Sequence, residues 1–364
     1  MKKQKINTIA IMTGGGDCPG LNAVIRAVAK AAQTKYGLEV WGIQDGYLGL
    51  IENHIHQLRS GDVSGILTVG GTILGTSNTS DPFHFALNGG GKYADVSSQC
   101  VRNLRERGID ALICIGGDGT MKTAARFAQM GVPVIGVPKT IDNDLVGTDI
   151  TFGFYTAVTT ATEAIDKIHT TASSHHRTMI VEVMGRYAGW IALYAGVAGG
   201  ADVILIPEIP YSLDKIEQCV RERARRGKRF SIVCVAEGAK EKGGQMVVGR
   251  RIKGSPDPIR LGGIANKLQY DIQERTGLEA RSVILGHVQR GGTPTPFDRV
   301  LATNFGYTAI SLLMEKGIKN HLVVLKENKY SSIPLSKVAG KIKNVPKDHP
   351  MIKAALAIKT SFGI

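Results

Sequence analysis

The chain lacks most of the features that would assign it at sight. Cysteine is scarce: Cys18, Cys100, Cys114, Cys219 and Cys234 are odd in number and form no CxxC pair. That argues against a disulfide framework or a zinc site and fits a reducing, cytoplasmic setting. No apolar run approaches the roughly 18 residues needed to span a bilayer. The start, MKKQKINTIAIM, is charged and then briefly apolar, but it runs straight into GGGD with no small-residue cleavage pattern, so it reads as a first strand. Neither the Walker pattern GxxxxGKS/T nor the dinucleotide pattern GxGxxG occurs. Aromatic residues make up only 6% and are not interleaved with the basic ones, so nucleic-acid binding is not expected.

What is present is an ordinary globular composition of 364 residues, 43% apolar, long enough for two domains or one large one. The net charge of +14 favours anionic partners such as nucleotides or sugar phosphates. Ten lysines against two acids lie between Lys316 and Lys359, a region that reads as a solvated basic surface. Short β-rich runs alternate with helical stretches, predicting an α/β fold with mainly parallel sheets flanked by helices. Strands are expected at Ile6–Met12, Val40–Ile43, Ala111–Ile115, Pro133–Val137, Thr178–Val183, Val203–Ile206, Phe230–Ala236 and Arg281–Leu285. Helices are expected at Leu21–Gln33, Ser97–Arg107, Met121–Met130, Thr156–Thr171, Leu213–Arg225 and Ile259–Arg275. The segments Asn88–Lys92 and Lys240–Pro258 read as surface excursions. Two sheets are expected, with a boundary soon after residue 144.

Four glycine-bearing loops follow apolar runs: TGGGDCPGLN (13–22), GGTILGTSN (70–78), IGGDGT (115–120) and GHVQRGGTP (286–294). Glycines after a strand let backbone N–H groups approach phosphate, and a helix N-terminus beyond them adds a favourable dipole. In open α/β sheets such loops converge at the strands' carboxyl ends. Carboxylates supply the rest. Asp118 and Asp144 suit a magnesium ion that keeps most of its waters. Asp142, in the stretch VPKTIDNDL, is the candidate base for an attacking hydroxyl. If that stretch is locally extended, the Thr140 hydroxyl points the same way as Asp142. The second half contributes the cations Arg177, Arg186, Arg281, His287 and Arg290, at or near strand ends, and Glu237 as an acceptor for a sugar hydroxyl.

Taken in order, GGGDCPGLNAVIR, DGYLGL, GGDGT, PKTIDND, SSHHR, VEVMGRYAGW, VAEGA and LGHVQRGGTPTPFDR resemble the 6-phosphofructokinase family, from about Thr8 to Ala302. The rest of the chain carries no motif. The resemblance implies a glycolytic kinase that transfers a phosphoryl group to the 1-hydroxyl of fructose 6-phosphate, with magnesium. Two Rossmann-like domains would flank a cleft holding the active site: residues 1–153 with about 290–335 for the nucleotide, and 154–289 with about 336–364 for the sugar phosphate.

By motif, Asp142 matches the base, with Thr140 and Asp144 beside it, and Asp118 the magnesium-linked aspartate. Arg186 matches a residue near the transferred phosphate, while Met184, Gly185 and Glu237 line the sugar. Arg281, His287 and Arg290 match the grip on the 6-phosphate. Arg177 and Arg281 would come from a neighbouring subunit, implying a dimer or tetramer. Gly15, Tyr47, Asn78, Thr79, Gly117, Asp118, Gly119 and Thr120 fall on the nucleotide side; many relatives have arginine at position 78.

Two positions bear on the donor. Glycine after GGD, here Gly119, is the mark of ATP users, because an aspartate there would intrude on the α-phosphate. Lysine at position 139 is common among pyrophosphate users, and the mixed pair occurs in a third group associated with ATP. The expected donor is therefore ATP. A reversible pyrophosphate enzyme, or a kinase for another sugar phosphate or a nucleoside, is the alternative. Of the cationic lining of a bacterial regulatory site, Arg26, Lys30, Arg226 and Lys228 are matched, while Ser60 stands where arginine is often found.

Overall fold

Ile9 and Ile11 pack into one core cluster and Ala10 and Met12 into another, so the first strand is buried on both faces. The same alternation recurs in Ala111–Gly116 and explains why these runs are continuously apolar. In this computed structural model the described residues are 6–87, 91–251 and 259–364.

In chain order the strands are β1 (Thr8–Thr13), β2 (Glu39–Ile43), β3 (Ile55–Gln57), β4 (Phe85–Leu87), β5 (Lys92–Ala94), β6 (Ala111–Gly116), β7 (Val134–Pro138), β8 (Thr178–Val183), β9 (Val203–Leu205), β10 (Ser231–Ala236), β11 (Val248–Arg251), β12 (Ile259–Leu261), β13 (Ala280–Ile284), β14 (His321–Lys326) and β15 (Lys329–Pro334). The helices are α1 (Leu21–Tyr36), α2 (Tyr47–Glu52), α3 (Ser97–Glu106), α4 (Asp118–Gln129), α5 (Phe154–His175), α6 (Trp190–Ala198), α7 (Leu213–Arg225), α8 (Ile264–Thr276), α9 (Pro296–Met314) and α10 (Pro350–Ala357). A seven-stranded sheet runs β15-β14-β7-β6-β1-β2-β3, parallel through its centre; a four-stranded parallel sheet runs β13-β8-β10-β9. The chain changes sheets after β7, after β13 and after β15; Ser361 finally pairs with Val203 and Phe362 is fully buried.

Three apolar clusters hold these layers. One lies outside the larger sheet under α4 and α3, and one outside the smaller sheet under α7 and α8. The third is continuous between the sheets, from Ile9 and Ile113 through α1, α5, α6 and α9 to Val181 and Cys234. The α5 helix begins on a buried carboxylate: Asp298, in the first turn of α9, accepts the Thr156 N–H at 2.8 Å and its hydroxyl at 2.6 Å. Burial raises the Asp298 carboxyl, and these donors oppose that.

The expected elements are found within a few residues, with three corrections. The helix expected at Ile259–Arg275 starts only at Ile264, because Gly262 and Gly263 (φ +138° and +93°) end β12 first, and Glu182 then caps the helix by accepting the Gly263 and Ala265 N–H groups. The segment after Ala302, which carries no motif, supplies two strands of the larger sheet and most of α9. Of the two excursions, residues 88–90 and 252–258 lie outside the described residues; the flanking parts form the hairpins β4–β5 and β11–β12.

The tightest helix contact is between α1 and α9, where a side chain at Gly306 would meet Ala27 Cβ at 2.8 Å and the Val24 carbonyl at 2.9 Å. Alanine would gain about 1 kcal/mol of helix propensity there. Overpacking against backbone costs roughly 1–3 kcal/mol, so the second effect wins. Gly306→Ala is expected to lower the urea unfolding midpoint; a higher midpoint would show that the helices part freely.

Candidate active site

Every loop singled out by its glycines leaves a strand or short turn on one side of the molecule, and hydrogen bonds stitch them together. The Gly14 N–H donates to Ile115 O at 2.9 Å, and Gly15 N–H to Ser77 O at 3.2 Å. The Thr76 hydroxyl donates to Gly15 O at 2.6 Å and the Thr13 hydroxyl to Gly75 O at 2.6 Å. Gly70 lies so close to Gly292 that a side chain would come within 2.3 Å of the Gly292 carbonyl oxygen. The fourth loop thereby joins the second.

Asp118 opens α4, one residue past Gly117. Nothing lies within 4 Å of where a Gly119 side chain would begin, so that face of the helix entrance is open. Asn78 and Thr79 are exposed at their loop tip. Two residues expected on the nucleotide side stand behind it. Tyr47 is buried, stacked on Phe127, and donates its hydroxyl to Thr120 O at 2.9 Å; burial drives its phenol well upward. Thr120 is also buried, with its hydroxyl against Gly14 and Gly116. Both brace the loop.

The stretch after β7 is a turn, and the expectation of an extended segment is corrected here. Asn143 has φ +50°, and the Thr140 hydroxyl oxygen accepts the Asp142 N–H at 3.1 Å. Thr140 also bonds the Asp144 carboxylate. A hydroxyl two residues before a turn bonds backbone readily, and that local bond prevails over extension. Asp142 Oδ1 is buried without a hydrogen-bond partner. Burial, then the charges of Asp144 and Glu237, push the Asp142 carboxyl up to about 7, with Arg290 and Lys139 pulling the other way. Asp144 is raised by burial too, partly offset by its Thr140 bond. Lys139 is buried and donates its ammonium to the Gly16 carbonyl; desolvation lowers it. Gly16 is required by close approach, since a side chain there would fall on the Arg290 guanidinium, 1.9 Å from Nη1.

From the smaller sheet come Met184, Gly185 and Arg186 after β8, Glu237 after β10, and the 3-10 turn Gly286–Arg290 after β13. Arg186 lies over the Tyr187 ring at 4.7 Å. Glu237 is raised by burial and by Glu182, and is drawn back by the Gly185 backbone, Arg290 and Arg186. Arg290 Nε is a second buried atom without a partner. His287 is exposed. Gln289, not singled out in the sequence, is fully buried and accepts the Met184 N–H at 3.3 Å while donating to Gly286 O at 2.9 Å. It fastens the two loops together.

Arg177 and Arg281 are not brought to this place. Both sit at the opposite, amino-terminal end of β8 and β13, where Arg281 pairs in register with Met179. β8 spans five residue steps, roughly 16 Å. There they share one carboxylate, Glu279, at 2.7 Å and 2.5 Å. The expectation that all the cations lie at ligand-binding strand ends is corrected for these two.

The site thus combines a glycine-lined helix entrance, the carboxylates of Asp142, Asp144 and Glu237, a buried ammonium and the guanidiniums of Arg186 and Arg290, at the carboxyl ends of the parallel strands of two sheets. The family model for phosphofructokinases matches residues 8–313. The chain belongs to the phosphofructokinase family. It is 54% identical over 366 residues to ATP-dependent 6-phosphofructokinase 2 of Clostridium perfringens, covering 99% of each chain. It is 49% identical to the ATP-dependent 6-phosphofructokinase of Spirochaeta thermophila, covering 100% of this chain and 99% of that one. The solved phosphofructokinase of Saccharomyces cerevisiae superposes with a TM-score of 0.78 at 34% identity, over 91% of this chain; this chain spans 45% of that longer one. The phosphofructokinase match ends at residue 313, short of β14 and β15, which complete the larger sheet.

Arg226 and Lys228, matched in the sequence to a cationic regulatory lining, line a cavity of 680 Å³ together with Lys215 and Lys359, on the far side of α7. One structural residue went unrecognised: Lys343, read as part of a solvated lysine run, is half-buried against the Asn143 turn and bonds Asn143 Oδ1 at 3.0 Å. That placement had no local signal, since lysine spacing alone does not separate a threaded side chain from a solvated one. Among the described residues, no helix is long and apolar enough to cross a membrane.

The raised Asp142 carboxyl has a consequence for stability. Its folded value lies above the ordinary value near 3.9, so the folded chain holds this proton more tightly. Stability is full below about 4, falls as pH rises through about 7, and is constant above. Asp142→Asn is therefore expected to stabilise the unliganded protein at pH 8 by on the order of 1 kcal/mol or more, with the gain vanishing near pH 4. Denaturant titrations at the two pH values check it; equal effects at both would refute the buried-charge account.

Proposed function

We propose that this chain transfers the γ-phosphoryl group of ATP to the 1-hydroxyl of fructose 6-phosphate, giving fructose 1,6-bisphosphate and ADP. The observation that carries this reading is Asp142 Oδ1, a buried acceptor without a partner at the meeting point of the glycine loops and the arginine-bearing loops. The names of the relatives, ATP-dependent 6-phosphofructokinases at 54% and 49% identity, support the same donor and acceptor.

In this reading the larger sheet, residues 1–153 with about 290–335, carries the nucleotide, and 154–289 with about 336–364 carries the sugar phosphate. Gly15, Gly117, Asp118 and Gly119, with Asn78 and Thr79, take the ATP phosphates; Tyr47 and Thr120 keep that loop in shape. The sugar lies against Met184, Gly185 and Glu237, and its 6-phosphate against His287 and Arg290. Arg177 and Arg281 serve the site of a neighbouring subunit, as their place at the opposite end of the sheet suggests. Asp142 accepts the proton of the 1-hydroxyl as its oxygen bonds the γ-phosphorus; the bond from that phosphorus to the β-bridging oxygen breaks, and ADP leaves. A carboxyl held near 7 is a far better base than an ordinary aspartate at neutral pH. Lys139 and Arg186 offset the negative charge that gathers on the transferring group.

Two carboxylates, Asp118 and Asp144, close enough for one to raise the other's proton affinity, suit a magnesium ion that keeps waters and shares donor phosphates. When bound, the ion would neutralise donor-phosphate charge. A soluble, cytoplasmic oligomer is the setting this reading implies.

Purified protein assayed with magnesium, fructose 6-phosphate and either ATP or pyrophosphate tests the proposal. Turnover with ATP is expected; turnover with pyrophosphate alone would overturn it, and Lys139 would then be read as a ligand for the small anion. Asp142→Ser should lower kcat by roughly 10²–10⁴-fold with little change in KM for the sugar. Undiminished turnover would remove Asp142 from the role of base. Gly119→Asp adds charge where the space is now open. It should raise KM for ATP by at least about tenfold, the equivalent of one lost polar contact or one like-charge approach.

A further inference from the structure

Residues 340–345 lie beyond the stretch that the family model matches, yet they touch three of the loops that build the site. At one end the Gly340 N–H donates to Asp118 Oδ1 at 2.7 Å. In the middle, Ile342 pairs with Leu145 in an antiparallel bridge, and the Lys343 N–H donates to Asp144 O at 2.7 Å. At the other end the Val345 N–H donates to Glu208 Oε1 at 2.8 Å, the oxygen that also takes the Gly189 N–H at 3.0 Å, three residues past Arg186. The Lys343 carbonyl accepts the Trp190 indole N–H at 2.9 Å. The strap therefore joins the entrance of α4, the turn bearing Asp142 and Asp144, and the loop bearing Arg186.

Lys343 is the centre of this arrangement. Its ammonium has three donors, and three acceptors stand at 3.0 Å: Asn143 Oδ1, Thr148 O and Asp149 O. The charge also lies over the Trp190 ring, 5.4 Å from its centroid. Asn143, held at φ +50°, is the residue between the two aspartates, so whatever fixes its side chain fixes the direction of both carboxylates. A second tie to the Asn143 side chain, Thr151 N–H to Asn143 Oδ1 at 3.1 Å, comes from the same turn, whose far end β14 holds through Leu325 N–H to the Thr148 hydroxyl at 3.1 Å. Lys343 holds the Asn143 side chain from elsewhere in the chain.

We propose that the 340–345 strap is a positioning element of the phosphotransfer site, and that Lys343 is the positioning residue that holds the Asp142–Asp144 turn in its working geometry. The inference rests on the phosphotransfer reading above. It assigns Lys343 no contact with substrate.

The test compares Lys343→Met, of similar length but without donors, with Lys343→Arg, which keeps charge and donors in a less convergent shape. In Lys343→Met, kcat is expected to fall roughly 10- to 100-fold, the loss typical of a misplaced catalytic group, while KM for fructose 6-phosphate stays within about twofold. Lys343→Arg should recover most of that loss. Backbone hydrogen exchange across residues 141–149 should be faster in Lys343→Met than in wild type, and near wild type in Lys343→Arg. A folded Lys343→Met with wild-type kcat overturns the proposal. So does equal loss in both variants, or a rise in KM at unchanged kcat. If Lys343→Met does not fold, Lys343→Gln is measured in its place against the same outcomes. Wild-type protein that fails to use ATP would sink the functional reading, whereas the exchange comparison would still decide whether Lys343 holds the turn.

Discussion

Two carboxylates packed into one buried turn, Asp142 and Asp144, set the terms for the surrounding structure. An uncompensated charge in the interior costs several kcal/mol, and two of like sign repel one another as well. Lys139, Arg290 and Lys343 all act on this pair, and each comes from a different segment of the chain. Lys343 itself is pulled down to about 8 by burial, against the charges of Asp144 and Asp149. None of these compensations is complete, since Asp142 Oδ1 is left without a partner and its proton affinity stays high. Incomplete compensation is what gives the group chemical use. A carboxylate fully satisfied by donors would be a poor base, and one buried with no cation nearby would stay protonated.

The fold meets that demand by topology. Parallel strands deliver their carboxyl ends to one side, so six separate loops can surround a small volume without any long excursion. The apolar cluster shared between the sheets fixes their separation. Buried Gln289 and half-buried Glu208 then fasten loop to loop. The glycines at 16 and 70 let backbone and guanidinium approach where any side chain would hold them apart.

Much of this was readable before the structure. The central parallel strands of both sheets were visible as Val/Ile runs because strands buried on two faces need no polar positions. The four glycine loops and the TIDND carboxylates were legible because phosphate chemistry draws on few residue types. What escaped is instructive. β14 and β15 lie in a stretch where lysines and half-buried positions blur the periodicity. Arg177 and Arg281 lie away from this chain's own site; a strand end is recognisable in sequence, but which end faces that site is not, and only the family resemblance pointed them to a neighbouring subunit. The Thr140 hydroxyl was expected to point with Asp142 only if the segment were extended, and the segment is instead a turn closed by the bond from the Asp142 N–H to that hydroxyl. Lys343 offered no signal at all, because its role comes from three carbonyl-type oxygens nearly two hundred residues away.

The α5 helix carries a mechanical implication. Its 22 residues make a rod about 33 Å long. One end is pinned through Thr156 to the carboxylate of Asp298, eight residues after Arg290; the other ends two residues before Arg177. A rod this well buried slides or turns as a whole. Any shift that a ligand imposes on the Arg290 loop therefore has a stiff route to the far edge of the molecule, and the Arg177–Glu279–Arg281 cluster is the place where that displacement would be felt.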